Sequence, residues 1–141
     1  MLSACSLESM YHSVGIENFS LLIYEAPEAI DEALERNTRR AEQIIDIVNA
    51  EYDGPVIHSG DDLAMKGKTI FSPAWLRAHI FPRLARVAAR IHAGGKFFSF
   101  HSCGNVRGLI PDFIEIGVDI LNPVHISAAG MEPKALKRDF G

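Results

Sequence analysis

A histidine and a cysteine one residue apart, His101 and Cys103, close the apolar run Phe97-Phe98-Ser99-Phe100. In an extended chain, side chains i and i+2 point to the same side, so an imidazole and a thiolate at these positions face one ion. Such a pair suits zinc. Gly104 and Asn105 follow at once and give the backbone the freedom to turn out of a strand. By itself His-x-Cys is short enough to arise by chance, and Cys103 could equally be a small buried hydrophobe.

Two further stretches have the same form. Pro55-Val56-Ile57-His58 runs into Ser59-Gly60-Asp61-Asp62-Leu63, and Val118-Asp119-Ile120-Leu121 runs into Asn122-Pro123-Val124-His125. Paired carboxylates just past a buried strand can orient a substrate, hold a histidine or move a proton, while the plainer reading is a solvated turn in which Asp62 caps something local. Because polar groups recur after every strand, Asp61 and Asp62 become catalytic candidates. His58, Asn122 and His125 become candidates for substrate binding. Cys5, His79 and His92 fall in helical stretches and read as packing or surface residues.

The elements that must position these groups are strands separated by helices. Residues Leu2 to Ser13 read as a short helix closed by Gly15, and Asn18 as the cap of a second helix through Tyr24. Pro27 opens the longest helix, in which Ile30, Leu34, Ala41, Ile44, Ile45 and Val48 follow the 3.6-residue period; Arg36, Arg39 and Arg40 form its solvated face. Ser72-Pro73 starts another helix, Pro82 must kink or break it, and Gly94-Gly95 stops it. Leu109, Ile110, Phe113 and Ile114 make one face of the next helix, which Gly117 ends, and Glu132 to Arg138 form a last short one.

With 141 residues, 48% of them hydrophobic, and a mean hydropathy of +0.07, the chain can bury one core. A net charge of -4, with basic residues dispersed over helices, argues against nucleic acid as a partner. No apolar run approaches the ~18 residues of a membrane span, and there is no cleavable leader pattern. Two distant cysteines make no disulfide framework and fit a reducing compartment, so the expected location is the cytoplasm.

Helical connections of this length between strands imply β-α-β units and a parallel sheet. The fold class is therefore α/β, with about three parallel strands and flanking helices. Polar residues after each strand's C-terminal end are the arrangement of a β/α barrel, and no glycine-rich phosphate loop supports a nucleotide-binding sheet instead. A complete barrel takes roughly 250 residues, so this chain supplies part of a TIM (β/α)8 barrel.

The chain resembles the uroporphyrinogen decarboxylase superfamily, and within it the corrinoid-linked methyltransferase branch. The resemblance runs from about Tyr11 onward and rests on several motifs in order. They are Gly60-Asp61-Asp62-Leu63, Ser72-Pro73 with the later Pro82, His101-Ser102-Cys103-Gly104-Asn105-Val106, Leu109-Ile110-Pro111-Asp112, Gly117-Val118-Asp119-Ile120-Leu121-Asn122-Pro123, and Met131-Glu132-Pro133 before Phe140-Gly141. It implies that residues 1–141 are the middle portion of a single barrel domain. It further implies zinc held by His101 and Cys103, with the family's third ligand, a later cysteine, beyond Gly141. Activation of a small-molecule thiol and methyl exchange with a corrinoid carried by a partner protein would follow, the methyl donor and the direction of transfer staying open. The alternatives are decarboxylation of a tetrapyrrole, as in porphyrin biosynthesis, and an inactive truncated fragment.

Overall fold

The computed structural model describes residues 5–141 as seven helices and one three-stranded sheet. The strands β1 (Val56–Gly60), β2 (Phe97–His101) and β3 (Ile120–Asn122) are all parallel, in the order β1-β2-β3. The register pairs His58 with Ser99, Gly60 with His101, Ser99 with Ile120, and His101 with Asn122. Between β1 and β2 lie α4 (Pro73–His79) and α5 (Phe81–Ala93). A 3-10 turn (Arg107–Leu109) and α6 (Ile110–Glu115) connect β2 to β3. This is the strand order expected of consecutive units of a β/α barrel.

Strand alternation divides the sheet into two unlike faces. Ile57, Ser59, Phe98 and Phe100 are buried under the helices, whereas His58, Phe97, Ile120 and Asn122 are exposed on the other face. Phe100 meets Phe113 of α6 at a tilt with 5.3 Å between centroids, and Phe113 in turn meets Phe81 of α5 at 5.5 Å, so three rings join the sheet to both crossovers. Burying each large ring contributes on the order of 2–3 kcal/mol.

Helix α3 (Pro27–Glu51) begins, as the sequence predicts, with proline in its first turn. Its buried residues Ile30, Leu34, Thr38, Ala41 and Ile45 recur every three or four positions and form the face that packs on α5. Along the border of that contact Arg83 reaches Asp31, Arg86 reaches Glu35 and Glu42, and Arg90 reaches Asp46. Arg36, Arg39 and Arg40 are exposed, as expected.

Several local expectations change. The first helix, α1, spans Leu7–Val14, because Ser6 takes a left-handed φ of 58° just before it; the expected residues 2–4 lie outside the described ones. Asn18 is not a cap. It lies inside α2 (Ile16–Glu25) and donates back to the Val14 carbonyl, the boundary being set by Gly15 at φ 85°. Ile114 is 57% exposed and does not belong to the buried face of α6. Pro82 falls in the first turn of α5, so of the expected kink or break it is the break that occurs, at Ile80 between two helices. The last helix, α7, spans Pro133–Phe140. No helix of the described residues is long and apolar enough to cross a membrane.

Candidate functional site at the strand ends

The C-terminal ends of the three strands form one rim. Backbone bonds continue past the ladder, with the Asp61 amide donating to the His101 carbonyl at 3.1 Å and the Ser102 amide to the Asn122 carbonyl at 3.0 Å. Gly60 makes this close approach possible. A Cβ there would lie 2.6 Å from the His101 Cβ and 2.9 Å from its carbonyl oxygen. Beyond β2, Gly104 takes φ 89°, and a Cβ on it would meet the Ala64 carbonyl at 2.6 Å. The loop carrying Cys103 is thereby pressed against the loop that follows Asp62.

His101 and Cys103 leave β2 on the same side, as their spacing requires, and the Cys103 Sγ lies 3.5 Å from the His101 Nε2. The Asp62 Oδ1 is 3.6 Å from that Nε2 and accepts the Cys103 amide at 2.7 Å. Ligand atoms of the three residues all lie within 4.8 Å of one another. On the far side of the imidazole, Nδ1 is 3.1 Å from the Asn122 Oδ1. An amide oxygen can only accept, so Nδ1 carries the proton and the Nε2 lone pair faces Asp62 and Cys103. Burial raises the Cys103 thiol above its ordinary pKa, and the charges of Asp62 and Glu8 add to the effect. A free thiol is held protonated there, and ionising it calls for a cation.

The adjacent acids have separate environments. Asp61 is fully buried, and its carboxylate accepts the Cys5 amide at 3.0 Å on one oxygen and the Glu8 amide at 3.0 Å on the other. It therefore satisfies one amide in the first turn of α1 and one in the segment that leads into it. Asp62 is half-buried on the rim, and the Tyr11 hydroxyl fixes it from behind by donating to its carbonyl at 3.2 Å. Cys5 is completely buried, and its thiol pKa is raised by that burial and by Asp61.

The substrate-binding candidates also gather here. His125 accepts the Gly104 amide at its Nδ1, 3.0 Å away, which leaves the neutral ring's proton on Nε2. Asn122 orients His101 as described. His58 sits one layer below, its Nδ1 3.0 Å from the Ser99 Oγ and its ring edge-on to His101 at 6.2 Å.

Ser102 was not singled out by the sequence. It is fully buried and its Oγ accepts the Leu63 amide at 3.0 Å, joining the loops after β1 and β2. The signal was present in the alternation: a residue between two ligands on one face must point to the covered face, where a hydroxyl needs a partner.

A concavity of about 1000 Å³ lies elsewhere, along α3 beside His79. It is bordered by Asp31, Glu35, Arg36 and Arg39, of which Asp31 and Glu35 are already paired with Arg83 and Arg86. Asp62, His101 and Cys103 converge instead at the rim.

The family model described as uroporphyrinogen decarboxylase (URO-D) matches residues 4–129. No curated protein and no solved structure matches the chain.

Proposed function

Since the chain belongs to the uroporphyrinogen decarboxylase (URO-D) family, we propose that it serves a zinc-dependent methyl transfer between a corrinoid, carried by a partner protein, and a small-molecule thiol or other methyl carrier. The observation that carries this reading is the His101 Nε2 facing the Cys103 Sγ at 3.5 Å, with the proton of the imidazole fixed on its other nitrogen. Bound there, zinc would supply the Lewis-acid charge that keeps a thiol ionised near neutral pH.

The chain's own residues have distinct tasks in this scheme. Cys103 gives up its proton to become a ligand, against the burial that otherwise keeps it neutral. Asn122 holds the His101 ring so that Nε2, not Nδ1, is the donor atom. Asp62 grips the Cys103 amide and fixes where the sulfur sits. His125, with its proton on Nε2, can donate to a substrate anion at the same rim, and His58 with Ser99 forms a polar layer beneath. The family relationship by itself is equally compatible with decarboxylation, which has no use for a thiolate ligand pair.

Zinc retention tests the reading. Cys103→Ser is expected to lose most of the stoichiometric zinc after gel filtration, and Cys5→Ser to keep it, since Cys5 is packed in the core. Equal zinc content in the two variants would remove the physical support for methyl transfer and leave only the family membership standing.

A further inference from the structure

Resting on the zinc reading above, we infer that Asp62 is a further protein ligand, so that the strand ends of this chain supply a carboxylate, an imidazole and a thiolate to one divalent cation. The two donor distances that involve the imidazole are close to those around a tetrahedral ion. With metal–nitrogen and metal–sulfur bonds of about 2.0 and 2.3 Å, a tetrahedral angle places the two donor atoms about 3.5 Å apart. The His101 Nε2 and Cys103 Sγ are 3.5 Å apart. For nitrogen and oxygen donors the same construction gives about 3.3–3.4 Å, and the Asp62 Oδ1 lies 3.6 Å from that Nε2. All three ligand atoms lie inside 4.8 Å, so closure by ~1 Å or less brings them to the spacing that a tetrahedral cation requires.

The Cys103 amide bond to the Oδ1 does not compete with ligation. A carboxylate has roughly four acceptor positions on its two oxygens, so one N–H bond leaves the others free and also fixes the group's orientation. The charge balance is favourable as well. A carboxylate and a thiolate together match the charge of a divalent ion. Because Asp62 follows β1 while His101 and Cys103 belong to the end of β2, the ion would clip the two strand ends together.

The test separates ligation by Asp62 from its grip on the Cys103 amide. Asp62→Asn keeps an oxygen acceptor for that amide and removes the anionic ligand. Cobalt(II), which reports thiolate ligation by a near-ultraviolet charge-transfer band and tetrahedral geometry by intense visible bands, is titrated into the whole chain, the Asn variant, Cys103→Ser and Asn122→Ala. Losing an outer-shell partner such as Asn122 weakens metal by about 10–100-fold. The Asn variant is expected to weaken binding beyond the Asn122→Ala loss and to reduce the visible bands, while the charge-transfer band persists at saturating cobalt. Wild-type affinity in that variant, or a loss no larger than that of Asn122→Ala with unchanged visible bands, would show that Asp62 only positions Cys103 and would overturn the inference alone. A Cys103→Ser protein that keeps wild-type affinity would instead overturn the zinc reading itself. Should the Asn variant fail to fold, Asp62→Cys decides: added charge-transfer intensity supports ligation at this position, and unchanged intensity refutes it.

Discussion

Gly60→Ala probes whether strand spacing and metal geometry are one property. The added Cβ would stand 2.6 Å from the His101 Cβ and 2.9 Å from its carbonyl oxygen, both on the neighbouring strand. Carbon pairs are most comfortable at about 3.5–4.0 Å, so β1 and β2 must part by ~1 Å at the rim. The Asp61 amide bond to the His101 carbonyl, 3.1 Å long, would then be stretched past hydrogen-bonding range. Overpacking costs about 1–3 kcal/mol and the lost bond about 1 kcal/mol more. Against this, alanine lowers the unfolded chain's entropy, which offsets about 0.4–1 kcal/mol. The net expectation is a loss of roughly 2–3 kcal/mol, read as a lower urea midpoint at unchanged slope. Because His101 moves with the strand, zinc affinity should fall in the same variant. Gly67→Ala, whose Cβ meets nothing within 4 Å, is the control and should stay within about 0.5 kcal/mol of the wild type. A Gly60→Ala protein with wild-type urea midpoint and zinc affinity would refute the claim that this glycine sets the distance between the ligand-bearing strands.

Asp61→Asn weakens two charge-assisted bonds, one to Glu8 in the first turn of α1 and one to Cys5 just before it, each worth about 1.5–3 kcal/mol. Amide exchange in α1 should accelerate while zinc affinity stays at the wild-type value; unchanged exchange would mean that α1 is held by its packing alone. Glu35 gives the pH prediction. Its hydrogen bond to Arg86, and secondarily Arg39, hold its pKa below the ordinary carboxylate value despite partial desolvation. A lowered folded pKa stabilises above the unfolded value of about 4.3 and loses that contribution as pH falls through the folded value. The wild type should therefore exceed Glu35→Gln in stability near neutrality, by about 1 kcal/mol for so exposed a network, and the two should converge in acid. Urea midpoints collected across that pH range check it, and a gap that persists or widens in acid contradicts the sign.

The parallel sheet was legible because each strand is short, rich in bulky apolar residues and followed by a long helical connection. Phe97-Phe98-Ser99-Phe100 leaves little room for another reading. Helix ends were less legible where caps are ambiguous. Asn18 has the side chain of a cap, but Gly15 three residues earlier already permits the turn at φ 85°, so the helix starts there and the asparagine bonds back to Val14 within it. Ile114 misled for another reason: on a six-residue helix begun by a 3-10 turn, the apolar stripe is too short to fix which side is covered.

At the site, the sequence could place His101 and Cys103 on one face because a strand has a period of two, but it could not divide the work between Asp61 and Asp62. Both follow β1, and alternation says only that they differ. What separates them is the packing of α1 and the residues just before it, where the Cys5 and Glu8 amides, more than fifty positions earlier in the chain, need an acceptor and find Asp61. Once that residue is buried beneath the helix, Asp62 is left on the rim, within 3.6 Å of the imidazole. The same alternation that turns His101 and Cys103 toward the rim sends Ser102 to the covered face, where it holds the Leu63 amide just after Asp62. Each of these polar residues at the strand ends thus either faces the open rim or ties its loop to the core, and the buried ones fix the spacing of the groups at the rim.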